Sequence, residues 1–233
     1  MSASSKALTL QSALVVRSPF DATLMDIFRQ AHGDVDITWT PTTVLMKNIE
    51  NGLTGDVVIV TDQAMDELVA KGVVDAESCK KLIVSRIGFA VKQGEAKPDV
   101  STPQALTQTL LNTRSVCYSI GGASGIHFKT VLDRLGIEAE VDAKACPIPE
   151  GFTAEKLITG EASLAVQQIS ELLVVSGIEI VGRLPEELQK VTSFTIGLYS
   201  QSQQKQKGAA LIEIVTSPAS KEAYARFGLD CRF

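Results

Sequence analysis

The sequence lacks the features that mark nucleic-acid-binding and membrane-spanning chains. It has no block of basic residues interleaved with aromatic ones, and 22 Lys and Arg against 27 Asp and Glu give a formal net charge of -5. No apolar run approaches the ~20 residues that a membrane-spanning helix requires. We therefore expect no nucleic-acid partner and no insertion into a membrane.

We also expect no export signal at the start of the sequence as given. A secretory signal needs a basic start and then an uninterrupted apolar core. Here the segment ALTLQSALVV follows Lys6 and contains the polar residues Thr9, Gln11 and Ser12. We expect a cytoplasmic location for the chain as given, and a periplasmic one if a signal peptide has been removed.

Residues that bind metals or form disulfides are few and scattered. The cysteines are Cys79, Cys117, Cys146 and Cys231, and the histidines are His32 and His127. No CxxC pair occurs, whereas zinc sites need closely spaced ligands. We expect no metal site, no cofactor, and free buried thiols of the kind found in a reducing compartment.

What the sequence does contain is a regular alternation of strand-length apolar runs and helical patterns. This alternation is typical of an α/β fold with largely parallel sheets. Over roughly the first 75 residues it predicts a βαβαβα unit. The expected strands lie in ALTLQSALVV, DVDITWT and DVVIVTD, and the expected helices in SPFDATLMDIFRQAHG, TTVLMKNIENGL and QAMDELVAKGVV. A ligand is expected at the carboxyl ends of these strands.

Details within this unit can be predicted from residue spacing. Leu24, Ile27 and Phe28 should share one face of the first helix, and Ile37 and Trp39 should lie on the same side of the second strand. Glycines at positions 33, 52 and 72 should end the three helices.

Two long apolar segments, KLIVSRIGFAVKQG and VTSFTIGLYS, lead out of this unit and back into it. The chain therefore leaves the first α/β unit once and returns to it once, with a second α/β block between. This pattern predicts two lobes. We expect residues 1–86 and 196–233 to form lobe one and residues 87–195 to form lobe two. Ligands of such proteins bind in the cleft between the lobes, which is where we expect the site.

The segment YSIGGASGIHF is the first candidate for a ligand-binding loop. It joins a predicted strand to a predicted helix, and Ser124 stands at the expected helix cap. Unpaired N–H groups at a helix start attract anions, and Gly122 and Gly125 would let an anion approach the backbone. The alternative is a glycine turn before a capped helix that binds nothing.

Two further strand ends have similar chemistry. VRSPF places Arg17 and Ser18 after the first strand, and an arginine can bind a carboxylate through two parallel hydrogen bonds. TPTT places Thr42 and Thr43 at the second helix start. The alternatives are a solvated surface arginine and ordinary capping threonines.

Three sequence segments, which occur in the same order as in a known family, carry a resemblance to that family. They are GDVVIVTDQAMDELVAKGVV, GGASGIHFKTVLDRLGI and ITGEASLAVQQISEL. Along nearly its whole length the chain resembles the molybdate-binding proteins among the type II periplasmic binding proteins. The resemblance implies a two-lobe fold and oxyanion contacts from Ser18, Thr42 or Thr43, Ser124 and neighbouring N–H groups.

Two residues depart from that family's pattern. Molybdate binders have a tyrosine at about the position of Gln168 and a small residue near Arg17. These departures favour an organic anion, such as a di- or tricarboxylate, as the ligand. The segment QQISE also occurs in a subgroup of the family that resembles aconitate isomerase. That enzyme has the binding-protein fold.

If the protein is an enzyme, the resemblance implies a 1,3-proton shift on an unsaturated carboxylate. Glu171 and His127 are the candidate bases, and neither is preferred. The alternatives are a surface or helix-end carboxylate for Glu171 and a packed first-turn residue for His127. Asp62 could contribute to the site or cap its helix.

Two other functions remain open. The first is a solute-binding receptor for a small oxyanion or carboxylate, which would work with an ABC permease only if the chain is exported. The second is the ligand-sensing module of a regulator, which ranks last because no DNA-binding segment is attached.

Overall fold

The computed structural model describes residues 6–233 and divides the chain into two compact units. The first unit contains the residues up to Val84 together with Ser193–Phe233, and the second contains Ser85–Thr192. The chain passes from one unit to the other near the ends of two strands, Lys80–Ser85 and Thr192–Leu198.

A six-stranded mixed sheet forms the centre of the first unit, in the order β10-β4-β9-β3-β1-β2. The strands are β1 (Leu8–Ser12), β2 (Val35–Trp39), β3 (Val57–Thr61), β4 (Lys80–Ser85), β9 (Thr192–Leu198) and β10 (Asp230–Cys231). β1 pairs in parallel with both β2 and β3, as the βαβαβα pattern predicts. β9, the strand by which the chain returns from the second unit, is antiparallel to β3.

The helices of the first unit follow the predicted order. They are α1 (Arg17–Pro19), α2 (Met25–His32), α3 (Thr42–Glu50), α4 (Asp62–Ala70), α10 (Lys205–Val215) and α11 (Lys221–Ala225). A π-helical turn, Phe20–Leu24, joins α1 to α2, so the first predicted helix is continuous. Gly33 follows it with φ 80°, a value that favours glycine.

One predicted helix face is wrong in part. Leu24 and Phe28 are buried, but Ile27 is 47% exposed. Met25 is buried in its place. Met25 and Ile27 lie on opposite flanks of the helix stripe that contains Leu24 and Phe28, and the core covers the Met25 flank.

β3 shows how the first unit buries its sheet on both faces. Val57 and Ile59 belong to one hydrophobic cluster, and Val58 and Val60 belong to another on the opposite face. Alternate residues of a strand point to opposite faces, so the apolar residues 57–60 must be covered on both. The buried strand predicted from DVVIVTD is confirmed.

The second unit contains a four-stranded sheet in the order β6-β7-β5-β8. Its strands are β5 (Ile87–Lys92), β6 (Val116–Cys117), β7 (Leu164–Gln168) and β8 (Ile178–Arg183). Its helices are α5 (Pro103–Asn112), α6 (Ala123–Leu135), α7 (Glu138–Asp142), α8 (Glu155–Ile158) and α9 (Ile169–Leu172). β6 is parallel to β7, and β5 is antiparallel to both β7 and β8.

Both faces of this sheet are also covered. Leu164 and Val166 of β7 pack in one cluster, while Ala165 between them packs in the other. Within residues 6–233, no helix is long and apolar enough to cross a membrane. The same residues contain no group of three or more His, Cys, Asp or Glu side chains that could hold a metal ion.

Candidate functional site

In the first unit, the carboxyl ends of β1, β2 and β3 meet at one edge because the three strands run parallel. The backbone is held together there: the Ala13 N–H donates to the Ile59 carbonyl at 2.9 Å, and the Thr40 N–H donates to the Ser12 carbonyl at 3.1 Å. The predicted residues come shortly after these strand ends in the sequence. Arg17 and Ser18 follow β1, and Thr42 and Thr43 follow β2.

Arg17 is the first residue of α1 and already has a carboxylate partner. Its Nε lies 3.2 Å from Oδ2 of Asp21, one helical turn later, and both side chains are partly exposed. Ser18 is buried. The guanidinium therefore reaches a carboxylate, but the one it contacts in this structure belongs to the protein.

The two threonines are helical residues and do not cap α3. Thr42 and Thr43 open α3, and Pro41 occupies the cap position without a side-chain hydrogen bond. The predicted capping role is therefore wrong. Pro41 has the extended backbone of a cap residue, with φ -57° and ψ 145°, but no side-chain acceptor.

Asp62 is committed to an ion pair that the sequence did not suggest. Both of its carboxylate oxygens accept from Nη1 of Arg232, at 2.9 and 2.8 Å, and Oδ1 also accepts from the Thr195 hydroxyl at 2.7 Å. Thr61 caps α4 instead, with its Oγ1 accepting from the Ala64 N–H. The alternative of Asp62 as a helix cap is thus wrong.

In the second unit, the segment after β6 forms a tight loop against its neighbours. The Ile120 N–H donates to the Ile148 carbonyl at 2.8 Å, and the Gly121 N–H donates to the Pro149 carbonyl at 3.1 Å. The Gly122 N–H donates to Oγ of Ser119 at 3.2 Å. These three N–H groups are therefore already used.

The N–H groups of the next three residues, at the start of α6, differ because no intrahelical acceptor precedes them. Gly122 is the cap residue of α6, so Ala123, Ser124 and Gly125 form its first turn. Their N–H groups precede the first intrahelical bond, which Ile126 donates to the Gly122 carbonyl. They form the positive end of a 13-residue helix, which favours a bound anion.

Ser124 does not cap α6, so that prediction is wrong, yet its hydroxyl is notable. The residue is 1% exposed, so its hydroxyl lies within the first turn of α6 and not on the open surface. Gly125 is required for packing: an added Cβ would lie 1.6 Å from the Ser119 carbonyl oxygen. Close backbone approach therefore explains this glycine without a ligand.

The end of β7 is a second place with buried polar atoms. Gln168 is 2% exposed; its Nε2 donates to Oγ1 of Thr192 at 3.3 Å, while its Oε1 has no partner within residues 6–233. Oγ of Ser85 is likewise buried without a partner in this range. Ser85 lies two residues before Ile87, which pairs with Gln168 across the sheet. Unsatisfied buried polar atoms are rare and costly, so two close together in the fold indicate a functional constraint.

Gln167, by contrast, is fully engaged. Its Oε1 accepts from the N–H and the hydroxyl of Thr153, at 2.9 and 3.0 Å, and its Nε2 donates to the Gly151 carbonyl at 2.8 Å. It thereby fixes the loop before α8 to the end of β7.

Glu171 lies in the short helix α9 directly after this strand and is partly buried. Desolvation raises the pKa of its carboxyl to about 8, although interactions with the Gln167 side chain and the Gln168 backbone oppose this rise. No cation is among the causes that set its pKa. The carboxyl can therefore exchange a proton near neutral pH.

His127, the other candidate base, is tied to protein atoms through both ring nitrogens. Its Nε2 is 2.7 Å from the Leu188 carbonyl oxygen, and its Nδ1 is 3.3 Å from Oγ1 of Thr130. Since a carbonyl can only accept, Nε2 carries a proton and donates it there. Sequence spacing gave no indication of Leu188, which is 61 residues away.

The architecture described above is that of the periplasmic solute-binding proteins. The periplasmic molybdate-binding protein of Azotobacter vinelandii superposes with a TM-score of 0.78 at 15% identity, covering 95% of this chain and 98% of that one. A sulfate-binding protein of Mycobacterium tuberculosis superposes with a TM-score of 0.73 at 14% identity, covering 97% and 86%. The predicted α/β binding-protein fold is confirmed.

The sequence itself defines the family. Residues 8–230 match the family described as bacterial extracellular solute-binding protein, and the chain belongs to it. It is also 39% identical, over 175 residues, to an aconitate isomerase from a Pseudomonas species. That match covers 75% of this chain and 66% of the relative, just under two thirds of the relative's length.

Proposed function

We propose that the protein binds a small di- or tricarboxylate and isomerises it by a 1,3-proton shift. The observation that carries this proposal is Glu171, whose pKa is raised to about 8 by burial. A general acid–base works best when its pKa is near the operating pH. The 39% identity to an aconitate isomerase supports the same reaction class and makes aconitate the first substrate to test.

In the proposed reaction, ionised Glu171 removes a proton from a carbon next to a carboxylate. The C–H electron pair forms a new double bond as the original one shifts. Glu171 then returns the proton to the carbon two positions away, so nothing is oxidised or reduced. The pKa of about 8 leaves both the base and the acid form accessible near neutral pH.

The developing negative charge needs hydrogen-bond donors, and the start of α6 can provide them. We assign this role to the Ser124 hydroxyl and to the N–H groups of Ser124 and Gly125, with Gly122 leading into the turn. Donors that are fixed before the reaction stabilise such charge without reorganisation.

We assign carboxylate binding to polar groups at the ends of strands. In the first unit these are Arg17, Ser18, Thr42 and Thr43. In the second unit we assign Gln168, whose amide has one buried unsatisfied atom. Binding through Arg17 requires that the substrate carboxylate replace or share the contact with Asp21.

His127 receives a different assignment from Glu171. Because its Nε2 hydrogen-bonds a main-chain carbonyl, we propose that it positions the loop containing Leu188 and takes no part in proton transfer.

The direct test is to incubate the protein with cis- and trans-aconitate in deuterated water and follow the proton NMR spectrum. The proposal predicts interconversion of the two isomers with loss of the signals at the exchanging carbons. An absence of isomerisation and of deuterium uptake would exclude the enzymatic function.

The family supports a second candidate, a receptor that delivers a solute to an ABC permease. This function would require export, and a periplasmic location would then follow. Calorimetry separates the two functions: tight binding of molybdate, sulfate or a carboxylate without isomerisation favours the receptor. Weak binding of molybdate and sulfate together with turnover of aconitate favours the isomerase.

A further inference from the structure

Two of the four cysteines face each other in the second unit. Ser119 and Ile148 form a parallel bridge. The Cys146 N–H donates to the Val116 carbonyl at 2.9 Å, and the Ile148 N–H donates to the Tyr118 carbonyl at 3.0 Å. The segment containing Cys146 therefore runs beside β6, and the same register places Cys146 opposite Cys117.

Neighbouring strands lie about 4.8 Å apart, which is within the range of about 4.4 to 6.8 Å between the Cα atoms of disulfide-bonded cysteines. The Cys146 side chain is among the groups that raise the pKa of the Cys117 thiol, as expected of neighbouring side chains. Directly opposed cysteines need little backbone movement to be joined.

The surroundings give the two thiols different roles. Cys117 is buried in the cluster with Ala90, Ala165 and Leu172, whereas Cys146 is half-buried at the edge of that cluster. Cys146 is therefore the thiol that a reagent reaches first. Cys117 is placed to react with whatever forms on Cys146.

We propose that Cys117 and Cys146 are a reversible dithiol–disulfide pair. The oxidant is a low-molecular-weight disulfide, RSSR. The Cys146 thiolate attacks one sulfur of RSSR to form a mixed disulfide and releases one RS⁻. The Cys117 thiolate then attacks Cys146 Sγ and releases the second RS⁻. Both RS⁻ groups take up the protons that the two cysteines lost, so the protein is oxidised by two electrons and RSSR is reduced to two RSH.

The bond would anchor the loop that precedes α6. The segment after Cys146 accepts hydrogen bonds from the N–H groups of Ile120 and Gly121 through the carbonyls of Ile148 and Pro149. Cys146 lies two residues before Ile148 in the same segment. A disulfide between Cys146 and Cys117 would therefore fix this segment to β6. The oxidised protein should therefore unfold at a temperature several degrees higher than the reduced one.

The pair can be tested with oxidised glutathione as the probe. The folded protein is equilibrated with it, the remaining thiols are blocked with N-ethylmaleimide, and the chain is digested with trypsin. Cleavage after Arg114 and Lys129 releases residues 115–129, which contain Cys117. Cleavage after Lys144 and Lys156 releases residues 145–156, which contain Cys146. The proposal predicts that these two peptides are joined, that two thiols of four remain, and that dithiothreitol restores all four.

Matched variants make the test specific. Cys146→Ser changes a half-buried residue and should abolish the crosslink, while Cys79→Ser and Cys231→Ser should leave it unchanged. Four alkylated thiols, glutathione bound to Cys146 without the crosslinked peptide, or a crosslink through Cys79 or Cys231 would each overturn the proposal.

Discussion

The candidate site residues of the two units differ in how far the protein itself satisfies their polar groups. In the first unit, Arg17 contacts Asp21, and Asp62 accepts from Arg232 and Thr195. In the second unit, Ser85 Oγ and Gln168 Oε1 are buried and have no partner within residues 6–233.

Glu171 of the second unit extends this contrast, because burial raises its pKa to about 8. Satisfied charges stabilise a fold, whereas unsatisfied buried groups reduce its stability unless a ligand completes them. The contrast supports our proposal that proton transfer takes place in the second unit. In that proposal, Arg17 of the first unit binds a substrate carboxylate.

The largest effect is expected from Glu171→Gln, which keeps the shape of the side chain and removes its proton exchange. Aconitate turnover should fall by about 10²- to 10⁴-fold, the usual contribution of a general acid–base. Glu155→Gln is the matched control, since Glu155 is an exposed carboxylate in α8 of the same unit. Equal activity of the two variants would remove Glu171 from the mechanism.

Gly125→Ala should have the next largest effect because its Cβ would overlap the Ser119 carbonyl oxygen. We expect a loss of about 3 kcal/mol in the free energy of unfolding, the upper part of the usual range for overpacking. Gly122→Ala is the milder comparison, as its Cβ would lie 3.2 Å from the movable Ser119 hydroxyl. Urea denaturation of both variants measures the difference, and similar stabilities would show that the loop can move away.

Arg17→Ala tests the first unit's share in binding. A charge-assisted contact is worth about 1.5 to 3 kcal/mol, so KM for aconitate should rise about 10- to 100-fold while the stability changes little. Arg29→Ala is the control, because Arg29 also forms an exposed ion pair, with Asp26 in α2. If both variants bind aconitate as the wild type does, Arg17 does not contact the ligand.

Asp62→Asn should produce the smallest effect and a purely structural one. It weakens a partly exposed ion pair with Arg232, and exposed pairs contribute about 1 kcal/mol or less. The midpoint of thermal unfolding should drop by a few degrees, and kcat should be unchanged. A large fall in kcat would contradict the division of roles between the two units.

Periodicity predicted the fold well for physical reasons that are visible in particular elements. β3 is apolar on both faces and alternates between two clusters, so its sequence allowed little except a buried central strand. Gly33 and Gly72 follow their helices with φ of 80° and 69°, conformations that glycine adopts without strain. These features depend on neighbours in the chain.

The details of the site depend on contacts that are distant in sequence, and they were predicted less well. Arg232 is 170 residues from Asp62, and Leu188 is 61 residues from His127. The cap of α6 fell on Gly122 and not on Ser124, because helix boundaries shift by one or two residues without changing the pattern. The site roles of Arg17, Ser18, Thr42, Thr43, Gly122, Ser124, Gly125 and Gln168 stay predictions.

The central claim is that Glu171 holds its proton near neutral pH, and its titration tests this most directly. Protein labelled with carbon-13 at the glutamate side-chain carboxyls can be followed by NMR from pH 4 to 10, with Glu171→Gln identifying the resonance. The account predicts a titration midpoint near pH 8, as the raised pKa requires. A midpoint near 4.5, the ordinary value for glutamate, would contradict it.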